Sequence, residues 1–204
     1  MVRGLDAGQR AALVISECQR GVLDPSIAIF PGLAEQAAER EMLAAIDRLA
    51  TAFRAAGMPV VHVHAAHRPD FGAVVPNSLI AVRSKKTGSM VDGTPAVEPM
   101  EGAVPEPGDY ISARQTGVGM WYGTNLDATL RNLGVSTIVL CGVSTNIALF
   151  AGSVGAIDRG YFVVLPEDAT AGAAPDLHEW MITNTLPLVA TISSVDDVIA
   201  SIAP

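Results

Sequence analysis

Six short apolar runs, spaced along the chain with helical patterns between them, constrain the fold of this sequence more than any other feature. They are AALVIS at 11 to 16, PVVHVHA at 59 to 65, YISA at 110 to 113, TIVLCGV at 137 to 143, YFVVLP at 161 to 166 and LVATISS at 188 to 194. Runs that are apolar throughout, rather than alternating with polar residues, suit strands buried on both faces, the situation of a parallel sheet. Between the first two, Leu43, Ile46, Leu49 and Phe53 recur at helical spacing and stop at Gly57, with Pro59 beyond. The same reading gives helices near 124 to 133, ended by Gly134, near 145 to 158, ended by Gly160, and near 176 to 186. Strands and helices in alternation predict an α/β fold: a doubly wound three-layer sandwich around a central parallel sheet.

With 204 residues, half of them hydrophobic and 17% charged, the chain can bury a sizeable core, and residues 1 to 204 read as one domain. The stretch from Arg68 to Gly108 breaks the rhythm with prolines, glycines and scattered charges. A long loop there is expected to act as a lid or a subunit contact. The net charge of -8, with no basic cluster beyond Lys85-Lys86, argues against nucleic acid or an anionic membrane as partner and leaves a small molecule or a protein as the expected one. No run reaches the roughly 20 apolar residues that a bilayer span needs, and the first fifteen residues lack the apolar core of a leader. A cytoplasmic location is therefore expected. Cys18 and Cys141 lie in or beside strand-like runs and read as reduced core thiols.

In open parallel sheets ligands bind beyond the carboxyl ends of the strands, so the residues just after each run carry the candidate chemistry. These are Glu17 to Gln19, His64 to His67, Arg114 and Gln115, and Ser144 to Asn146. Together they predict a pocket with a carboxylate (Glu17), a cation (Arg114), hydroxyls and amides (Ser144, Thr145, Asn146, Gln19), an aromatic (Trp121), and His64 or His67 in its lining. Such a pocket suits a small polar ligand. Ser144 or Thr145 is placed to cap the following helix, whose first turn would offer unpaired N–H groups and a positive dipole end. The glycines at 117 to 119 and 152 to 155 lack the strand, GxGxxG, helix order of a dinucleotide site, so no nucleotide cofactor is expected.

The segment ALVISECQRGV resembles the first strand of the isochorismatase-like (cysteine hydrolase) family, which ends in an aspartate followed by a short motif with glutamine. The segment GTNLDATLRNLGVSTIVLCGVSTNIALFAGSVGAIDRGYFVVLPEDATAG resembles that family's central signature, from its Gly-Thr-x-Leu helix to the Asp-Ala after the fifth strand. The likeness runs over nearly the whole chain in the family's order. It implies the isochorismatase-like hydrolase fold, a small-molecule substrate, and assembly as a homodimer or homotetramer. It also implies an Asp, Lys and Cys machinery, altered here at every position. The cysteine position, counted from Gly142-Val143-Ser144-Thr145, holds Ala148, whose methyl group cannot attack a carbonyl. The aspartate position holds Glu17, and the lysine position falls at Arg114 or, with a one-residue shift, at Gln115; Arg114 is favoured because a carboxylate facing the pocket needs a cationic partner. Some members bind zinc after the second strand; there the metal carboxylate position is Ala65 and only His67 matches a ligand, so no metal is expected. The implied activity is hydrolysis without a cysteine nucleophile, with Glu17 as general acid/base for a vinyl ether or related C–O or C–N bond. Arg114, always protonated, would anchor an anion or orient Glu17 without moving protons itself. The same losses also fit a catalytically inactive pocket that binds a small ligand or a partner.

Overall fold

The computed structural model describes residues 2–6 and 8–203. Seven strands make one sheet: β1 (Ala11–Ser16), β2 (Val60–Ala65), β3 (Tyr110–Arg114), β4 (Thr137–Val143), β5 (Phe162–Pro166), β6 (Thr170–Ala171) and β7 (Thr191–Ser193). Their order is β3-β2-β1-β4-β5-β7, with β6 paired to β4, and every pairing is parallel. Every residue of β1 and β4 is buried, as wholly apolar runs at the centre of a parallel sheet should be.

Helices cover both faces. α1 (Arg20–Leu23), α2 (Pro31–Glu39), α3 (Met42–Ala55) and α4 (Leu79–Thr87) lie in the first half of the chain; α5 (Leu126–Asn132), α6 (Phe150–Ile157), α7 (Pro175–Trp180) and α8 (Val195–Ile202) lie in the second. On one face Leu13, Ile15 and Val139 pack with Ile46, Leu49 and Phe53 of α3 and Val195 and Val198 of α8. On the other, Val14, Val61, Val63 and Leu140 pack with Leu126 and Leu130 of α5 and with Ala156 of α6. Each such buried side chain is worth about 1.5–3 kcal/mol, so the two apolar faces of the sheet dictate the three layers.

The sheet order places the site. From β1 the chain steps outward to β2 and β3, then returns to β4 and steps the other way to β5 and β7. The connections leaving β1 and β4 therefore diverge, opening a crevice beyond their carboxyl ends. Ser16 and Gly142 pair at this end, and Ser16 Oγ donates to Val143 O at 3.0 Å. Gly142 has φ +93°, and a Cβ there would stand 2.3 Å from Ser16 O. The two strand ends can approach this closely only because that residue is glycine.

Several expectations need correction in detail. The stretch from 68 to 108 is not loop throughout: it holds α4, with Ser78 Oγ accepting from the Ala81 N–H and Gly88 at φ +64° closing the last turn, and a 3₁₀ turn at Pro95–Val97. The helix expected from 145 to 158 begins with a π-type turn at Thr145–Leu149, and the one from 176 to 186 ends in another at Met181–Thr185. The last strand is only Thr191–Ser193, because Leu186–Leu188 form a 3₁₀ turn around Pro187. Among the described residues no helix is long and apolar enough to cross a membrane.

Candidate active site

β1 ends at Ser16, and Glu17 takes φ +53°, a left-handed conformation that breaks the strand alternation at the crevice. Its backbone N–H donates to Val63 O. Its side chain meets Arg114, the last residue of β3, which is 6% exposed. Arg114 Nε donates to Glu17 Oε1 at 3.1 Å, Nη2 donates to the same oxygen, and Nη1 donates to Gly117 O. Each guanidinium nitrogen thus donates one hydrogen bond, while among the described residues Glu17 Oε2 has no hydrogen-bond partner and the Glu17 side chain is 16% exposed. Gln115, the other candidate for this position, is exposed and contributes only its carbonyl oxygen, to His67 Nδ1 at 2.9 Å.

β4, paired with β1 as far as Ser16 and Gly142, runs on into a turn at Thr145–Leu149. The Val143–Ser144 peptide is cis, and the N–H groups of Ile147 and Leu149 both donate to Ser144 O. Ser144 makes no side-chain cap, contrary to expectation. Thr145 is fully buried, Ala148 is 5% exposed, and the side-chain oxygens of Thr145 and Asn146 are buried without a hydrogen-bond partner. Thr145 Oγ1 abuts Gly172, next to His178. His178 in turn lies 3.3 Å from Glu167 Oε1, which also accepts from Arg40. The bond from His178, together with Arg40 and against the effect of burial, holds the Glu167 carboxyl down at about 2, well below its ordinary 4.5. A depressed acid stabilises the fold above its ordinary value and loses that contribution as pH falls toward the folded one. The urea midpoints of the protein and of Glu167→Gln should therefore differ by a constant amount near neutrality and converge between about pH 4.5 and 2.

Three expected pocket residues have other duties. Gln19 is fully buried, with its amide accepting from the Ala65 N–H at 2.8 Å and donating to Ala65 O and Val97 O, so it clamps β2 and the 95–97 turn to the end of β1. Trp121 lies against α6: its indole N–H donates to Gly152 O at 2.9 Å, and a Cβ on Gly155 would touch its ring at 2.3 Å. It stacks on Tyr161 with centroids 5.9 Å apart, and the Arg159 guanidinium lies 4.9 Å from its ring centroid. Trp121→Phe is expected to cost about 1 kcal/mol of stability, the value of the lost hydrogen bond, while leaving any turnover unchanged. His64 belongs with His62 on the α3 face, their rings 6.0 Å apart, whereas Arg114 pairs with Ala65 on the alternate face. Burial, reinforced by His62, pushes the His64 imidazole down to about 4, so it is neutral at physiological pH.

His67 does reach this corner. It is buried, its backbone N–H donates to Met90 O, and its ring is tilted against Phe71 at 5.5 Å. Sequence reasoning missed how the segment after α4 closes this wall: Arg20 N donates to Glu98 O and Met100 N to Cys18 O. Both cysteines are buried, and burial pushes both thiols well above the ordinary range, with Glu17 adding to the effect at Cys18. Among the described residues no group of three or more His, Cys, Asp or Glu side chains is gathered to hold a metal ion.

Comparison with known proteins places the fold among known families. Residues 11–197 match the family model described as an isochorismatase domain. The chain is 30% identical over 188 residues to the uncharacterized isochorismatase family protein YecD of Escherichia coli O157:H7, covering 92% of this chain and 94% of that protein. It is also 30% identical over 167 residues to the ureidoacrylate amidohydrolase RutB of Methylobacterium radiotolerans, covering 76% of this chain and 64% of that protein. Among solved structures, a cysteine hydrolase from Pseudomonas syringae pv. phaseolicola has a TM-score of 0.86 at 22% identity, covering 99% of this chain and 96% of that one. That last likeness is one of fold.

Proposed function

Because the chain belongs to the isochorismatase family of hydrolases, we propose that it hydrolyses a small molecule without a cysteine nucleophile, with Glu17 moving the proton. The observation that carries this reading is that only Oε1 of Glu17 is held by Arg114, at the carboxyl end of β1, whose neighbour β4 runs on into the turn that holds Ala148 at the nucleophile position. With no thiolate available, water must be the attacking group. Glu17 Oε2 accepts a proton from that water as its oxygen bonds to the substrate's electrophilic carbon. The same carboxyl then returns the proton to the leaving nitrogen or oxygen as the C–N or C–O bond breaks. Arg114 holds Oε1, so the carboxylate is aimed and the water has one oxygen to address. The similarity to an amidohydrolase of a ureido acid favours a small amide or ureido compound over a vinyl ether.

Product release from a panel of small amides, ureido acids, simple esters and isochorismate, followed by mass spectrometry, tests this reading. Turnover is expected to persist after iodoacetamide treatment and in a Cys18→Ala, Cys141→Ala variant. Loss of turnover on alkylation would overturn cysteine-independence. Stoichiometric binding of a panel member without any product would favour the inactive-pocket reading instead.

A further inference from the structure

His62 is 1% exposed on β2, and its ring meets Asp109, whose side chain is 5% exposed just before β3. Asp109 Oδ2 accepts from Arg54 Nη2 at 2.6 Å, from the Glu106 N–H at 2.9 Å and from His62 Nε2 at 3.1 Å, while Oδ1 accepts from Arg54 Nε. Although burial opposes it, the bond from Arg54, with those from the Glu106 N–H and His62, holds the Asp109 carboxyl below its ordinary 3.8. The carboxylate is therefore ionised and can only accept, so His62 Nε2 carries the hydrogen. Nδ1 is left as a lone pair, buried and without a hydrogen-bond partner among the described residues.

A further proton can go only onto Nδ1, where it would put a cation and a donor with no acceptor into the interior. Asp109 cannot cancel that charge, because Arg54 of α3 already neutralises it. The remaining neighbours do not help. β1 and β3 set Ile15 and Ile111 beside His62, Glu106 and Asp47 act on Arg54, and His64 on the same strand would add a like charge. Burial pushes the His62 imidazole below its ordinary 6.5, with Asp109 offsetting part of the effect and Arg54 adding to it.

What this cluster fastens is the edge of the sheet. β3 pairs only with β2, Tyr110 and Ile111 are exposed, and of its five residues only Ser112 and Arg114 are buried. A strand with so little buried apolar surface is among the first elements to open. Its last residue is Arg114, which holds Glu17.

We propose that His62 is an acid-released latch: when it takes up a proton, the segment 106–114 lifts from β2 while the central strands stay paired, and Arg114 lets go of Glu17. A base that is harder to protonate when closed than when open stabilises closure fully above its ordinary value and loses that contribution as pH falls below it, here below about 6.5. This window lies above the one set by Glu167, which runs from about pH 4.5 to 2. The latch is independent of whether Glu17 is catalytic.

Hydrogen exchange read by mass spectrometry at about pH 7 and about pH 5, corrected for the intrinsic pH dependence of exchange, tests it. Protection of peptides spanning 106–114 is expected to fall roughly 10-fold or more at the lower pH, while that of β4 holds. In His62→Gln with His64→Gln, whose amides do not titrate, the fall should vanish. Circular dichroism reports whether that variant is folded. Should it misfold, NMR titration of the wild-type imidazoles takes its place: His62 is expected to take up its proton together with shifts of the 106–114 amides. Unchanged protection of 106–114, an equal loss in β4, a loss that persists in the folded double variant, or His62 protonating without any change in those amides would each overturn the latch.

Discussion

Glu17→Gln is expected to lower the turnover of any substrate identified by about 100- to 10,000-fold, the usual contribution of a positioned acid or base. Glutamine keeps the shape and can still accept from Arg114, but it cannot take a proton from water. The change also leaves a buried guanidinium without its counter-charge, which costs stability of about 3 kcal/mol. Activity must therefore be compared well below the unfolding temperature of the variant. Arg114→Gln separates the two effects, because it breaks the same ion pair while leaving a carboxylate at position 17. If Glu17 is the proton-transfer group, Arg114→Gln retains substantially more turnover than Glu17→Gln at equal folded fraction, its loss coming from poorer aim. Glu17→Asp, which keeps the charge on a shorter arm, should fall between them. The idea fails if Glu17→Gln keeps more than about a tenth of wild-type turnover, since general acid–base help below tenfold lies outside the range such groups supply.

What the sequence made legible follows from which interactions are local. β1 and β4 were found to the residue, since a strand buried on both faces writes an uninterrupted apolar run. α3 was equally plain from Ile46, Leu49 and Phe53. α4 was hidden because its apolar residues do not recur past one turn and are not buried, so no core face left its period in the sequence. The two π-type turns were read as ordinary helix because they shift hydrogen-bond partners without changing composition. At the site, Glu17 and Arg114 were predicted to meet and do. Choosing Arg114 over Gln115 rested on charge, and the β2–β3 register gives the geometric reason: Arg114 stands beside Ala65 at the inner end of its strand. The contacts of Gln19, Trp121 and His64 were not legible, because position after a strand shows which residues are near the rim but not where their side chains turn. Those directions depend on partners distant in sequence, such as Val97 for Gln19 and Gly152 for Trp121.

Gly142→Ala is expected to be the most damaging single change in the central strands, and for a reason that bears on the crevice itself. A Cβ at 142 would lie 2.3 Å from Ser16 O, 3.0 Å from Ser16 N and 3.1 Å from Cys18 Sγ. Two of these are backbone atoms of the residues that lead into Glu17, so relief cannot come from a rotating side chain; the end of β1 would have to move. Overpacking of this kind costs about 1–3 kcal/mol, and forcing a side chain onto a positive φ adds about 1–2 kcal/mol. The sum, about 2–5 kcal/mol, corresponds to a fall in Tm of roughly 5–15 °C for a chain of this size. Thermal unfolding followed by circular dichroism gives that value, and a change under about 2 °C would mean that β1 and β4 do not approach as closely as described. Turnover should fall further than stability in this variant. Moving Ser16 displaces Glu17 from the turn that bears Ala148, and a displacement of about 1 Å at a reacting group can cost 100-fold in rate. Glu17→Gln removes the proton-transfer group from an intact crevice, whereas Gly142→Ala keeps the group and spoils its aim. Partial recovery of turnover with a smaller, more freely diffusing substrate is expected only in the second case.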